Sequence, residues 1–291
     1  PNFKLEKDVV ERRTEILKKS GIIFHKNFEV GKTKSFEFLR EKHSAILVAT
    51  GVYKARDIDI PGLELENVFP ALDYLTASNK KGLGDRVEDF ENGKLNAYKK
   101  DVIVVGGGDT AMDCVRTAVR QGAKNVSCLY RRNKENMPGS RREVMHAEEE
   151  GVNFVWLSTP IKINGKIKVD SIRIAKVKLG KPDKSGRETP KIINNNSRQL
   201  KADIVIKALG FDPEPLPKLF NNPSLKVTQW GTIKVNHETM MTNQEGVFAA
   251  GDIVRGASLV VWAIKDGRDT AESIHRYLNR NERKIKKTIN F

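Results

Sequence analysis

Gly106-Gly107-Gly108-Asp109-Thr110-Ala111 carries the spacing Gly-x-Gly-x-x-Ala, the pattern of a turn that brings backbone amides up to a pyrophosphate. The pattern is weak evidence until its setting is read. Residues 102–105 form an apolar run expected to be a buried strand, and a helix is expected after the turn as far as Gln121, with Gly122 as its cap. The first glycine then permits a tight turn, the second admits a phosphate, and Ala111 lets helix and strand pack closely. The helix start adds amide donors and the positive end of its dipole. After a second expected strand, 126–130, an NAD site places a carboxylate about 20 residues past the first glycine, for the ribose 2′-hydroxyl. Here the pair Arg131-Arg132 begins 25 residues past Gly106, with no carboxylate after that strand until Glu135. Paired guanidiniums suit a 2′-phosphate, which points to NADP rather than NAD. The plain alternatives are a glycine-rich turn and two solvated arginines.

A second constellation is Gly246-Val-Phe-Ala-Ala-Gly-Asp252, a strand ending on a carboxylate. Downstream, Leu259, Val260, Ala263, Ile264, Ala271, Ile274 and Leu278 share one face of a helix expected over 258–278. Asp252 could accept hydrogen bonds from a polyol, and the helix start near Ser258 could face an electron-rich ring edge. An ordinary strand–helix turn explains that spacing equally well. There is no Ser/His/Asp set and no metal-ligand spacing, and His146 reads as a packing or surface residue. Cys114 and Cys128 read as buried thiols, too few for a disulfide framework, a CxxC pair or a cysteine-ligated cluster.

The elements that must position these residues follow from periodicity and punctuation. A helix over 8–19 feeds a short strand at 22–24, and 45–50 is a buried strand ending in Gly51. Residues 76–99, rich in charge and glycine, read as a surface connection and a domain boundary. Ser140-Arg-Arg-Glu143 has capping-box form and opens a helix ending at Gly151. Then come a strand at 152–157, a meander over 161–200 with a polar turn at 180–186, and a strand at 204–206. The length of 291 residues suits about two domains. The net charge of +15 would favour nucleic acid only if gathered on one face, and it is spread along the chain apart from 280–287. No apolar run approaches the ~20 residues of a bilayer-spanning helix, and Pro1-Asn2-Phe3-Lys4 opens no leader peptide. The expectation is a cytoplasmic protein with no nucleic-acid or membrane partner, and a chain that starts mid-domain.

Taken in order, several segments resemble one family. They are Val-Ala-Thr-Gly at 48–51, Gly-Gly-Gly-Asp-Thr-Ala at 106–111, Tyr-Arg-Arg at 130–132 and Met-Pro-Gly-Ser-Arg-Arg-Glu at 137–143. Ala-Leu-Gly-Phe at 208–211, Gly-Val-Phe-Ala-Ala-Gly-Asp at 246–252 and Gly-Ala-Ser-Leu-Val-Val-Trp-Ala-Ile at 256–264 complete the series. Together they resemble the small (beta) subunit of NADPH-dependent glutamate synthase, over essentially the whole chain. The resemblance implies an α/β fold with two dinucleotide-binding, Rossmann-like domains of the disulfide-oxidoreductase type, one inserted in the other. The expected division is an FAD part over 1–99, an inserted NADPH domain over 100–205 and the rest of the FAD domain over 206–291. By carry-over Gly106, Gly107, Gly108, Asp109, Thr110, Ala111, Arg131 and Arg132 would bind NADPH, with Gly210 also in the cofactor set. Thr50, Gly51, Gly251, Asp252, Ser258, Leu259 and Val260 would line FAD. NADPH would reduce FAD, and electrons would pass through iron–sulfur centres to the large (alpha) subunit, where glutamine and 2-oxoglutarate become glutamate. The cysteine-rich iron–sulfur domain and the strand–glycine turn–helix for the ADP half of FAD are missing from these residues, so the FAD domain is expected to be incomplete. A related flavin reductase with another acceptor, or a non-catalytic basic binding module, stays open.

Overall fold

In the computed structural model, which describes residues 1–183 and 186–289, the chain divides into two units. The first comprises residues 1–22 and 57–210, the second residues 23–56 with those from 211 onward. The division therefore falls elsewhere than the expected boundaries near 99 and 205. The cause is strand Val68–Pro70, which pairs with strand Ile204–Lys207 and so draws the whole of 57–99 into the sheet of the first unit.

That sheet has five parallel strands in the order Val68–Pro70, Ile204–Lys207, Asp101–Val105, Asn125–Leu129 and Asn153–Val155. Strand Asp101–Val105 is apolar at successive positions because both of its faces are covered. Val102 and Val104 point into a core shared with helices Ala71–Gly82, Asp109–Arg120 and Arg141–Glu149. Ile103 and Val105 point into a second core, closed by an antiparallel sheet of strands Ser158–Gly165, Val169–Pro182 and Glu188–Lys201. Such a doubly covered parallel strand loses the polar alternation of a half-exposed one.

Three local expectations are corrected. Residues 76–99 are no mere surface connection: helix Ala71–Gly82 buries Tyr74, Leu75 and Ala77, and the Tyr74 hydroxyl donates to Gln121 Oε1 at 2.9 Å. Residues 22–24 form no strand, since no neighbouring strand supplies a ladder, and Ile22, Ile23 and Phe24 are exposed. The capping box at Ser140 does not close. Its side chain makes no cap bond, and the Glu143 carboxylate is taken by Arg116 Nη1 at 2.6 Å.

In the second unit, strand Ile46–Val48 runs parallel to Val247–Ala249, and Lys54–Ala55 pairs antiparallel with Phe211–Asp212. Phe36, Leu216, Phe220, Ile233 and Ile253 build its core, with the Phe36 and Phe220 rings stacked 5.0 Å apart. Strand Val247–Ala249 leads through Gly251 to the short helix Asp252–Arg255 and then the long helix Val260–Ile289. No helix among the described residues is long and apolar enough to cross a membrane.

Candidate functional site

The three glycines of the turn have three different neighbours. A Cβ on Gly106 would stand 2.1 Å from the Ala208 carbonyl oxygen, and its φ of +145° is one that side chains avoid. A Cβ on Gly107 would strike the Tyr130 ring at 2.4 Å. A Cβ on Gly108 would meet nothing within 4 Å, so this glycine borders open space. Helix Asp109–Arg120 starts there with Gly108 as N-cap, and the Gly108 carbonyl already accepts from the Ala111 and Met112 amides. The amides of Gly108, Asp109 and Thr110 have no acceptor among the described residues. Free amides at a helix start beside an open cradle are the donor set a phosphate needs. Ala111 is fully buried in the helix–strand contact, which leaves no room for a larger side chain.

The loop after strand Asn125–Leu129 folds back over this turn. The Gly139 amide donates to the Gly107 carbonyl and the Ser140 amide to Asp109 Oδ1, both at 2.9 Å. Asp109 thus anchors the loop. The two arginines of the expected pair are separated by environment. Arg131 is exposed, whereas Arg132 is buried and donates from Nε to the Glu188 carbonyl at 2.8 Å. Asn136 Nδ2 reaches Glu188 Oε2 at 2.8 Å, and the Tyr130 hydroxyl donates to the Asn136 carbonyl at 2.8 Å. Glu188 lies more than 50 residues from these partners, so no local pattern announced it. Arg141 and Arg142 follow the anchored Ser140, are exposed and make no ion pair among the described residues. They stood inside the Met-Pro-Gly-Ser-Arg-Arg-Glu segment without being singled out.

The outer face of helix Asp109–Arg120 carries a charge network. Arg116 donates to Glu150 Oε1 from Nε at 3.0 Å and from Nη2 at 2.8 Å, and Arg120 Nη1 meets Glu150 Oε2 at 2.5 Å. Burial alone would raise the Glu150 pKa, but the hydrogen bonds from Arg120 and Arg116 outweigh it and hold the carboxyl at about 2. Phe3 lies against both guanidiniums, 4.7 Å from that of Arg116 and 4.1 Å from that of Arg120.

In the second unit a cavity of about 320 Å³ gathers Gly51, Gly251, Asp252, Ser258 and Val260 from the expected FAD set. Thr50 and Leu259 are outside its lining, and Tyr53 and Leu47, absent from that set, are in it. Gly210 follows strand Ile204–Lys207 in the first unit, with φ +91°. The helix expected from Ser258 begins at Val260, which leaves Ser258 in the connecting loop. Asp252 is the one carboxylate in this lining and could accept from a ribityl hydroxyl. Its carboxylate and the glycine-bordered space around it suit the hydroxyl-bearing chain of a flavin.

The family profile of the pyridine nucleotide-disulphide oxidoreductases matches residues 4–267. The chain belongs to this family. The family is one of oxidoreductases and binds FAD and NAD(P)H. Its sequence is 62 % identical over 277 residues to the glutamate synthase [NADPH] small chain of Azospirillum brasilense, covering 95 % of this chain and 58 % of that one. A point mutant of FprA from Mycobacterium tuberculosis shares the fold with a TM-score of 0.76 at 19 % identity, covering 98 % of this chain and 75 % of that one. FprA in complex with NADPH matches with a TM-score of 0.71 at 20 % identity, over 89 % of this chain and 69 % of that one. The chain thus spans a little over half the length of that small chain.

Proposed function

We propose that the chain is the nucleotide- and flavin-handling part of an NADPH-dependent glutamate synthase. The 62 % identity to a glutamate synthase small chain over nearly the whole sequence carries the reading. When bound, NADPH supplies a hydride and FAD accepts it. The chain's own residues act by binding and orientation, and none is assigned as acid or base. Free amides at Gly108, Asp109 and Thr110 take the NADPH pyrophosphate, and exposed Arg131 takes the 2′-phosphate. Buried Arg132 fixes the loop through Glu188 and adds its remaining N–H groups. Asp252 receives a ribityl hydroxyl of FAD at the 320 Å³ cavity. Iron–sulfur centres would carry the electrons to a large subunit that forms glutamate from glutamine and 2-oxoglutarate.

The native protein assayed with its large subunit tests this reading. Glutamate should form with NADPH, glutamine and 2-oxoglutarate all present, and NADH should serve poorly. Rapid NADPH oxidation by artificial acceptors with no glutamate formed would reduce the assignment to a flavin reductase with a different acceptor.

A further inference from the structure

Asp266 is a buried carboxylate, 3 % exposed, that no cofactor assignment uses. Arg255 holds it in bidentate fashion: Nε donates to Oδ2 at 2.5 Å and Nη2 to Oδ1 at 2.6 Å. That fork fixes orientation as well as distance. The Arg255 hydrogen bond, against the opposing effect of burial and with help from the Gly251 amide, keeps Asp266 below the usual carboxylate range. Arg255 closes the short helix Asp252–Arg255, so the carboxylate is tied to the segment that carries Asp252. Ala263, on the same long helix as Asp266, stands 3.6 Å from where a Gly251 Cβ would lie. The Arg255 guanidinium also lies 5.4 Å from the Trp262 ring.

The placement explains why a charge is kept there. A second cavity, of about 450 Å³, is bordered by Arg255 and Asp266, while Gly251, Asp252 and Ala263 border the 320 Å³ cavity. The bidentate pair fixes the direction of the Arg255 side chain relative to the long helix, and this geometric constraint is what bears on Asp252. We infer that Asp266, through Arg255, is a positioning residue that presets Asp252 for the flavin. The inference rests on the flavin reading of the 320 Å³ cavity. A preset carboxylate spares the ligand the entropy of ordering the loop that carries it.

The test compares FAD binding by the native full-length protein with that of Asp266→Asn, Arg255→Lys and Asp252→Ala. Loss of one charged hydrogen bond corresponds to about tenfold or more in affinity, so Asp266→Asn should weaken FAD by at least that factor. NADPH affinity should not change. Combined with Asp252→Ala, Asp266→Asn should weaken FAD no further, because its effect passes through Asp252. The visible circular dichroism of flavin still bound to Asp266→Asn should also differ from that of the native protein. Unaltered FAD affinity and dichroism, or additive losses in the double variant, would overturn the inference. If Asp266→Asn does not fold, Arg255→Lys decides: weaker FAD with native NADPH affinity supports the inference, and native FAD affinity overturns it. A native protein that takes up no FAD would instead overturn the flavin reading of the cavity, and the positioning role with it.

Discussion

At the scale of single residues, three adjacent glycines do different work and should fail differently. Gly108→Ala adds a methyl group to open space at an ordinary φ, so stability should change by no more than about 1 kcal/mol. The same methyl intrudes where a phosphate must approach, and NADPH affinity should fall at least about tenfold. Gly106→Ala meets the Ala208 carbonyl and a forbidden φ together, and should lose more than about 3 kcal/mol whether or not nucleotide is present. Thermal melting alongside NADPH titration separates the two. The arginines divide in the same manner. Arg131→Ala should weaken NADPH roughly 10–100-fold and leave NADH and melting nearly unchanged. Arg132→Ala should also lower the melting temperature, because it strips the Glu188 carbonyl of its buried donor. Equal losses of NADPH and NADH affinity in Arg131→Ala would remove the 2′-phosphate assignment.

Helix Asp109–Arg120 is held from outside by charge, and this gives it a dependence on acid. Glu150 titrates at about 2 in the folded chain against an ordinary value of 4.5. Its folded pKa is depressed, so its contribution is complete above pH 4.5 and is lost as pH falls toward about 2. Urea midpoints should therefore drop across that interval, and Glu150→Gln should flatten the drop while costing roughly 1–3 kcal/mol at neutral pH. A native acid slope in that variant would move the effect to other carboxylates. This network was not legible in the sequence, because Arg116, Glu143 and Glu150 meet only after two helices pack. Strand Asp101–Val105, the glycine turn and the helix after it were legible, since apolar runs and turn chemistry are local. Helix Ala71–Gly82 was masked by the polar Ser78, Asn79, Lys80 and Lys81 that follow its buried face. Ile22, Ile23 and Phe24 misled in the opposite sense, for apolar residues make a strand only where another strand accepts their ladder. The different surroundings of Arg131 and Arg132 were hidden for a related reason: Glu188 arrives from a distant hairpin and engages Nε of Arg132 alone.

At the scale of the whole molecule, the 291-residue chain by itself should bind NADPH more tightly than FAD and form no glutamate. The glycine turn offers free amides to a pyrophosphate, whereas the second unit's cavity is lined by a carboxylate, which repels one. Calorimetric titration with each nucleotide checks the order, and tight FAD binding without NADPH binding would show the two sites interchanged. The sheet of the first unit also constrains when the nucleotide site can exist. Strand Ile204–Lys207 lies between Val68–Pro70 and Asp101–Val105, although it comes about 100 residues after the latter. On a ribosome, the first two would wait with a gap one strand wide between them, and long-range closure of this kind is slow. The Gly106 turn packs against Ala208, just beyond that late strand, and the Ala208 amide donates to Val105. The turn at position 106 is thus finished only by residues made about 100 positions later. A nascent chain halted near residue 200 should hold no NADPH, and nucleotide capture becomes a signal that synthesis of this unit is complete.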